Sequence, residues 1–262
     1  MADIELISSR LLDSAAITHG FTTRSGGVSE GAFGSLNLTR SRGDEAANVS
    51  ENRRRLAEAL GLDHLAFATQ VHGRAVARLT GPPKGEAPVG EADAIITDRP
   101  GVGLVAQTAD CTPVLLFDPA HGAIGAIHSG WRGTVQNVVG ATIAAMGEAY
   151  GTRPGDLLAA IGPSVSQVNY RVGAEVLDQF QQAFGALEGA FIKERDAEGG
   201  GHLDVALGAE RQLLEAGVPA AQIDRSTLCT YADETRFFSA RRSHHRGESG
   251  VFGGQGGVIG LR

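Results

Sequence analysis

The stretch that decides the fold is Val102-Gly103-Leu104-Val105-Ala106-Gln107-Thr108-Ala109-Asp110-Cys111-Thr112-Pro113-Val114-Leu115-Leu116-Phe117-Asp118-Pro119-Ala120-His121-Gly122-Ala123-Ile124-Gly125-Ala126-Ile127-His128. It holds three short apolar runs, at 102–107, 114–117 and 123–128, separated by polar or Pro and Gly breakers. Runs of this length read as strands. Val114-Leu115-Leu116-Phe117 is apolar at every position, which suits a strand covered on both faces.

Working outward, further strands are expected at 65–70, 75–79 and 92–97, and around His19-Gly20-Phe21-Thr22-Thr23-Arg24 near the amino end. Others are expected at 157–161, 226–230, 237–240 and 258–261. Helices are expected from Gly43-Asp44 to about Leu60, with Asp44 as cap and Gly61 as terminator, and at 134–150, 172–184 and 205–216. Glycine-rich 199–201 and 243–257 read as surface loops, the latter carrying His244-His245, which a loop could lend to adventitious metal. The mixture predicts an α+β architecture, one domain over residues 1–262, with mixed sheets covered by flanking helices.

Composition narrows the function. The chain has 262 residues, enough to bury a core without staples. A net charge of -7 argues against a nucleic-acid binder, which needs a basic face. No run approaches the roughly 20 apolar residues of a membrane helix, and no signal segment is visible in Met1 to Arg10. With only Cys111 and Cys229 present, a secreted disulfide scaffold is not expected, and the cytoplasm is.

Three segments can carry chemistry: Gln70-Val71-His72-Gly73, Thr108-Ala109-Asp110-Cys111-Thr112-Pro113 and Ile127-His128-Ser129-Gly130-Trp131-Arg132-Gly133. Each sets a metal-ligating side chain at the end of an apolar run beside a Gly or Pro turn, where rigidity and access coincide. Two imidazoles and a thiolate suit zinc, and three protein ligands leave a fourth position for water. There is no Cys-x-x-Cys pair and no His-Glu-x-x-His helix. A small core cysteine and hydrogen-bonded histidines are the alternative.

These segments resemble the YfiH family, also called the laccase-domain or multicopper polyphenol oxidase family and assigned as purine nucleoside phosphorylases. The matching motifs, in family order along nearly the whole chain, include Phe21-Thr22-Thr23-Arg24-Ser25-Gly26-Gly27, Ser35-Leu36-Asn37-Leu38, Glu51-Asn52-Arg53-Arg54-Arg55-Leu56, Ala109-Asp110-Cys111-Thr112-Pro113-Val114, His128-Ser129-Gly130-Trp131-Arg132-Gly133 and Phe237-Phe238-Ser239-Ala240-Arg241-Arg242. The resemblance implies that His72, Cys111 and His128 bind zinc, with copper as an alternative. It implies a two-sheet fold shared with proteins regarded as cysteine hydrolases. It also implies phosphorolysis of inosine, adenosine and methylthioadenosine, plus adenosine deamination. Ser129 stands where the family usually has Ala, and Arg171 follows Tyr170 where Glu is common.

Substrate contacts are expected from Arg24, Asn37, Arg53, Asp110 and Arg132. Arg132, near the expected helix start at Thr134, could receive phosphate or ribose, or could pack with Trp131. Arg24 and Asn37 could instead bond turns, and Arg53 could be a surface helix charge. Asp110 could orient a ligand histidine, act as acid or base, or brace a turn. Cys229 reads as a core thiol rather than a disulfide partner of Cys111. Competing functions are a metal-free cysteine hydrolase of peptidoglycan precursors, with Cys111 as nucleophile and His128 or His72 as base, a copper polyphenol oxidase, and a non-catalytic zinc-stabilised binding module. Eight histidines with no His-x-His pair give at most a mononuclear copper site.

Overall fold

In the computed structural model, which describes residues 3–186, 189–193, 195–248 and 250–262, the three central runs become strands of two different sheets. In chain order the elements begin with β1 (Leu6–Ile7), β2 (Ile17–Thr22), α1 (Ala46–Leu60), β3 (His64–Phe67), β4 (Val76–Leu79) and β5 (Ala94–Thr97). The centre follows with β6 (Val102–Thr108), β7 (Thr112–Asp118), β8 (Ala123–Ser129), α2 (Trp131–Val135), α3 (Val138–Tyr150) and β9 (Leu158–Ile161). Last come β10 (Arg171–Val172), α4 (Ala174–Phe184), β11 (Ile192–Lys193), β12 (Gly201–Leu203), α5 (Val205–Glu215), β13 (Ile223–Arg225), α6 (Ala240–His245) and β14 (Gln255–Leu261).

One sheet has the order β1-β2-β14-β6-β3 and the other β13-β9-β7-β8-β5-β4. They pack face to face. Leu104, Ala106 and Ile259 of the first meet Leu115, Phe117 and Ile124 of the second in one core. The alternate residues Val105 and Val258 point the other way, to Leu56 and Leu60 of α1. On the far side Val114, Leu116 and Ile127 pack on Val139, Ile143 and Met146 of α3 and Leu213 of α5. The result is four layers, helix, sheet, sheet, helix. Both faces of each central strand are covered, which is why β7 could be apolar throughout. A small sheet, β10-β12-β11, carries α4 beside this stack.

The α+β expectation of mixed sheets with flanking helices therefore stands, and several local expectations are corrected. Asp44 does not cap α1. Its carboxylate accepts from Ser29 Oγ at 2.6 Å and Asn37 Nδ2 at 2.8 Å, and Glu45 takes the cap position without a side-chain bond. Gly61 does end the helix, at φ 65°. The helix expected over 134–150 is two pieces. Asn137 adopts φ 60° and accepts the N–H of Gly140 on its own side chain, so α2 stops and α3 restarts with a new cap.

The strand expected at 237–240 is absent. Its backbone is satisfied instead by the side chain of Gln255, which accepts from Phe238 N at 2.8 Å and donates to Phe238 O at 3.0 Å. At 226–230 only a single bridge, Cys229 to Ser164, forms, and the parallel pairing belongs to the preceding 223–225. The segment 243–257 is not one surface loop. It ends α6 and begins β14, and the glycines from Gly253 on mark tight packing: a Cβ on Gly254 would lie 2.3 Å from Thr39 Oγ1. Likewise Gly200 and Gly201 are buried and lead into β12.

Candidate metal centre

The chain passes from the first sheet to the second twice. The first passage joins β3 to β4 and carries His72; the second joins β6 to β7 and carries Cys111. His128 lies near the end of β8, next to both crossings. Crossing between stacked sheets forces sharp backbone changes, and His72 and Asp110 both have positive φ, at 60° and 93°. The donor atoms of His72, Cys111 and His128 all lie within 4.8 Å of one another. The two imidazole rings meet edge to face with centroids 4.8 Å apart. His72 is exposed, Cys111 partly buried and His128 buried.

A carboxylate that sequence reasoning missed organises the group. Asp93, at 2% exposure, accepts from His128 Nδ1 at 2.8 Å. It also accepts the backbone N–H groups of Val71 at 3.3 Å, His72 at 3.0 Å and Gly73 at 2.6 Å. One carboxylate thus fixes the ring of one donor and the strained backbone of another. Burial pushes this carboxyl up, but the His128 ring and these N–H groups outweigh it and hold it low. The only signal in the sequence was a charge just before the apolar run Ala94-Ile95-Ile96.

The donor set fits a zinc or copper ion. Burial raises the Cys111 thiol, but the positive charge and hydrogen bonds of His128, and then those of His72, bring it well below its ordinary range. Burial lowers His128, and the Cys111 charge and the Asp93 bond raise it above its ordinary value. The protein therefore favours a thiolate at this point, the form a metal binds. Gly130 leaves the space: a Cβ there would sit 2.9 Å from His72 Cδ2 and 3.1 Å from Cys111 Sγ. Among the described residues no fourth His, Cys, Asp or Glu joins the cluster, so the coordination shell is open on the protein side.

The remaining expected residues separate clearly. Arg53 is not a surface charge but buried at 7% exposure, its guanidinium 3.7 Å over the Phe67 ring and bonded to Leu38 O. Arg132 lines a cleft beside the cluster and stacks on Trp131 at 4.3 Å, but the helix it opens has only five residues. Arg24 and Asn37 do not reach the cluster. Arg24 bonds Gly34 O and Glu234 O, and Asn37 spends its amide on Thr39, Asp44 and Gly254. Asp110 bonds neither histidine: Thr230 Oγ1, Ser239 Oγ and Arg241 N occupy its oxygens, so it braces a loop. Cys229 is unpaired and accepts from Ser166 N at 3.3 Å. His245 is helical rather than in a loop, bonds Tyr231 OH at 3.0 Å, and lines the same cleft as Arg132.

A four-layer α+β fold with a His-Cys-His cluster at the crossing of its two sheets defines the class: a two-sheet protein with one candidate three-donor metal site. The chain belongs to the family described as multi-copper polyphenol oxidoreductase laccase, whose model it matches over residues 18–262. It is 43% identical to a purine nucleoside phosphorylase of Deinococcus radiodurans, over 94% of this chain and 90% of that one. It is 40% identical to a purine nucleoside phosphorylase of Bacteroides thetaiotaomicron, over 86% of each. A protein named adenosine deaminase RL5, from an unknown prokaryotic organism, is 35% identical over 90% of this chain and 94% of its own length. The crystal structure of YlmD from Geobacillus stearothermophilus matches with a TM-score of 0.87 at 33% identity, covering 97% of this chain and 94% of that one.

Proposed function

We propose that this chain is a zinc-dependent purine nucleoside phosphorylase acting on inosine, adenosine and methylthioadenosine, with adenosine deaminase activity, and that copper competes for the same site. The observation that carries the reading is the three-donor cluster, open on one side, at the boundary of two clefts. The names of the relatives give it a substrate class. The cytoplasm suits two unpaired cysteines and described helices none of which is long and apolar enough to cross a membrane.

His72, Cys111 and His128 would hold the ion, and Asp93 would fix the ring that faces it. Bound there, zinc supplies a Lewis acid that activates water at neutral pH. In phosphorolysis a phosphate oxygen bonds to the anomeric carbon as its bond to the purine nitrogen breaks. The electron pair leaves with the purine, which ends with the proton of hydrogen phosphate. In deamination water adds at the purine carbon bearing the amino group, and ammonia leaves. Asp110 lines one cleft, with three donors, Thr230 Oγ1, Ser239 Oγ and Arg241 N, already on its oxygens. Trp131 and Tyr170 line one cleft and offer aromatic faces for a base. Burial, then the Cys111 charge, pushes the Tyr170 phenol up to about 12, so it stays neutral.

Incubation with inosine and phosphate is expected to give hypoxanthine and ribose 1-phosphate, and adenosine is expected to release ammonia. Absence of product from every purine nucleoside overturns the proposal. The lowered Cys111 thiol beside a raised His128 favours one second reading, a cysteine hydrolase acting on peptidoglycan precursors. Stoichiometric zinc that protects Cys111 from alkylation speaks against it. A copper oxidase gains nothing beyond one mononuclear site.

A further inference from the structure

Two clefts open from the cluster and share only His72, Ala109, Cys111 and Ala240. One is the aromatic cleft of Trp131 and Tyr170. The other, about 650 Å³, is lined by Arg40, Arg42 and Arg53 with Glu86 as the one carboxylate. Glu86 is taken by Arg40. Among the described residues neither Arg42 nor Arg53 forms an ion pair, Glu86 acting on Arg53 only from a greater distance. Arg42 stacks on Phe252 at 3.9 Å. Arg53 donates both Nε and Nη2 to the single oxygen of Leu38, at 3.0 and 2.7 Å, leaving Nη1 unused.

A buried guanidinium without a counter-charge is costly, and stacking on a ring orients it without neutralising it. Arg53 is such a buried group and Arg42 a half-buried one, and both line the same cleft, which suits it to an anion. We propose that this arginine cleft binds phosphate as a dianion between Arg53 and Arg42, and that this is inorganic phosphate, the nucleophile of phosphorolysis. The inference rests on the reading of the chain as a nucleoside phosphorylase. It explains why the cleft is divided. Displacement at an anomeric carbon sets nucleophile and leaving base on opposite faces, and two clefts meeting at the cluster separate them in that way. Arg132, in the aromatic cleft and stacked on Trp131, is left to the nucleoside side.

The test titrates inorganic phosphate alone into the zinc-loaded full chain by calorimetry, and measures KM for phosphate and for inosine separately. Arg42→Gln is expected to weaken phosphate binding and raise its KM about tenfold, the scale of one charge-assisted contact, while KM for inosine stays within about twofold. Arg53→Gln is expected to lose more; should it fail to fold by circular dichroism, Arg42→Gln alone decides. Arg132→Gln is expected to keep the phosphate affinity of the parent chain. Unchanged phosphate affinity in Arg42→Gln, or a loss confined to Arg132→Gln, overturns the assignment. So does an Arg42→Gln variant that loses only adenosine 5′-monophosphate, which would make the cleft a nucleotide site. If the parent chain cleaves no nucleoside, the phosphorylase reading fails, while the phosphate titration still judges the cleft.

Discussion

Asp93 governs two of the three donors, so its carboxylate is the most informative single group outside the cluster itself. Asp93→Asn keeps the shape but offers an amide where His128 Nδ1 and three backbone N–H groups now meet a full charge. It is expected to weaken zinc binding about 10- to 100-fold, read by competition with a chromophoric chelator, with the folded circular dichroism signal retained. Zinc affinity equal to that of the parent chain would show that Asp93 only braces the loop. The donors themselves were legible because each follows an apolar run and precedes a Gly or Pro turn. Asp93 was not, because a lone acid flanked by Ala92 and Ala94 carries no spacing that ties it to His128, thirty-odd residues away. The surface-charge alternative for Arg53 arose for a related reason: on α1 it neighbours Arg54 and Arg55, and only the folded chain shows that Arg53 is the buried one of the three.

At the scale of elements, the hairpin of β7 and β8 sets His128 in place, and Asp118 closes its far end. Asp118 accepts from Ala120 N at 2.9 Å, His121 N at 3.2 Å and the His121 ring at 2.9 Å. Burial pushes this carboxyl up, but Thr152 and then those donors hold it below its ordinary value. A carboxyl depressed in the folded state adds stability above its unfolded pKa, about 3.9, and the gain disappears as pH falls through the folded value. Asp118→Asn is therefore expected to lower Tm by several degrees at pH 6 and by much less at pH 3. A Tm deficit as large at pH 3 as at pH 6 would assign the effect to shape rather than charge. The long helices and central strands could be read from their periodicity. The break at Asn137 could not, since it depends on one residue adopting φ 60°. Nor could the missing strand at 237–240, whose backbone is satisfied by a side chain from β14.

Across the whole molecule, two sheets stacked face to face require the chain to cross between layers, and the three candidate donors collect where it does so. That the central strands are covered on both faces followed from their apolar pattern, but strand order did not. β14, from the carboxyl end, inserts between β2 and β6, and only long-range pairing decides that. The central claim is that one metal ion at His72, Cys111 and His128 enables nucleoside phosphorolysis. It is tested most directly by stripping the protein of metal and titrating zinc back while following hypoxanthine release from inosine in phosphate. The rate is expected to be negligible without zinc, to rise in proportion to zinc added, and to level off at one equivalent per chain. Full turnover by the stripped protein, or none at saturating zinc, would contradict it.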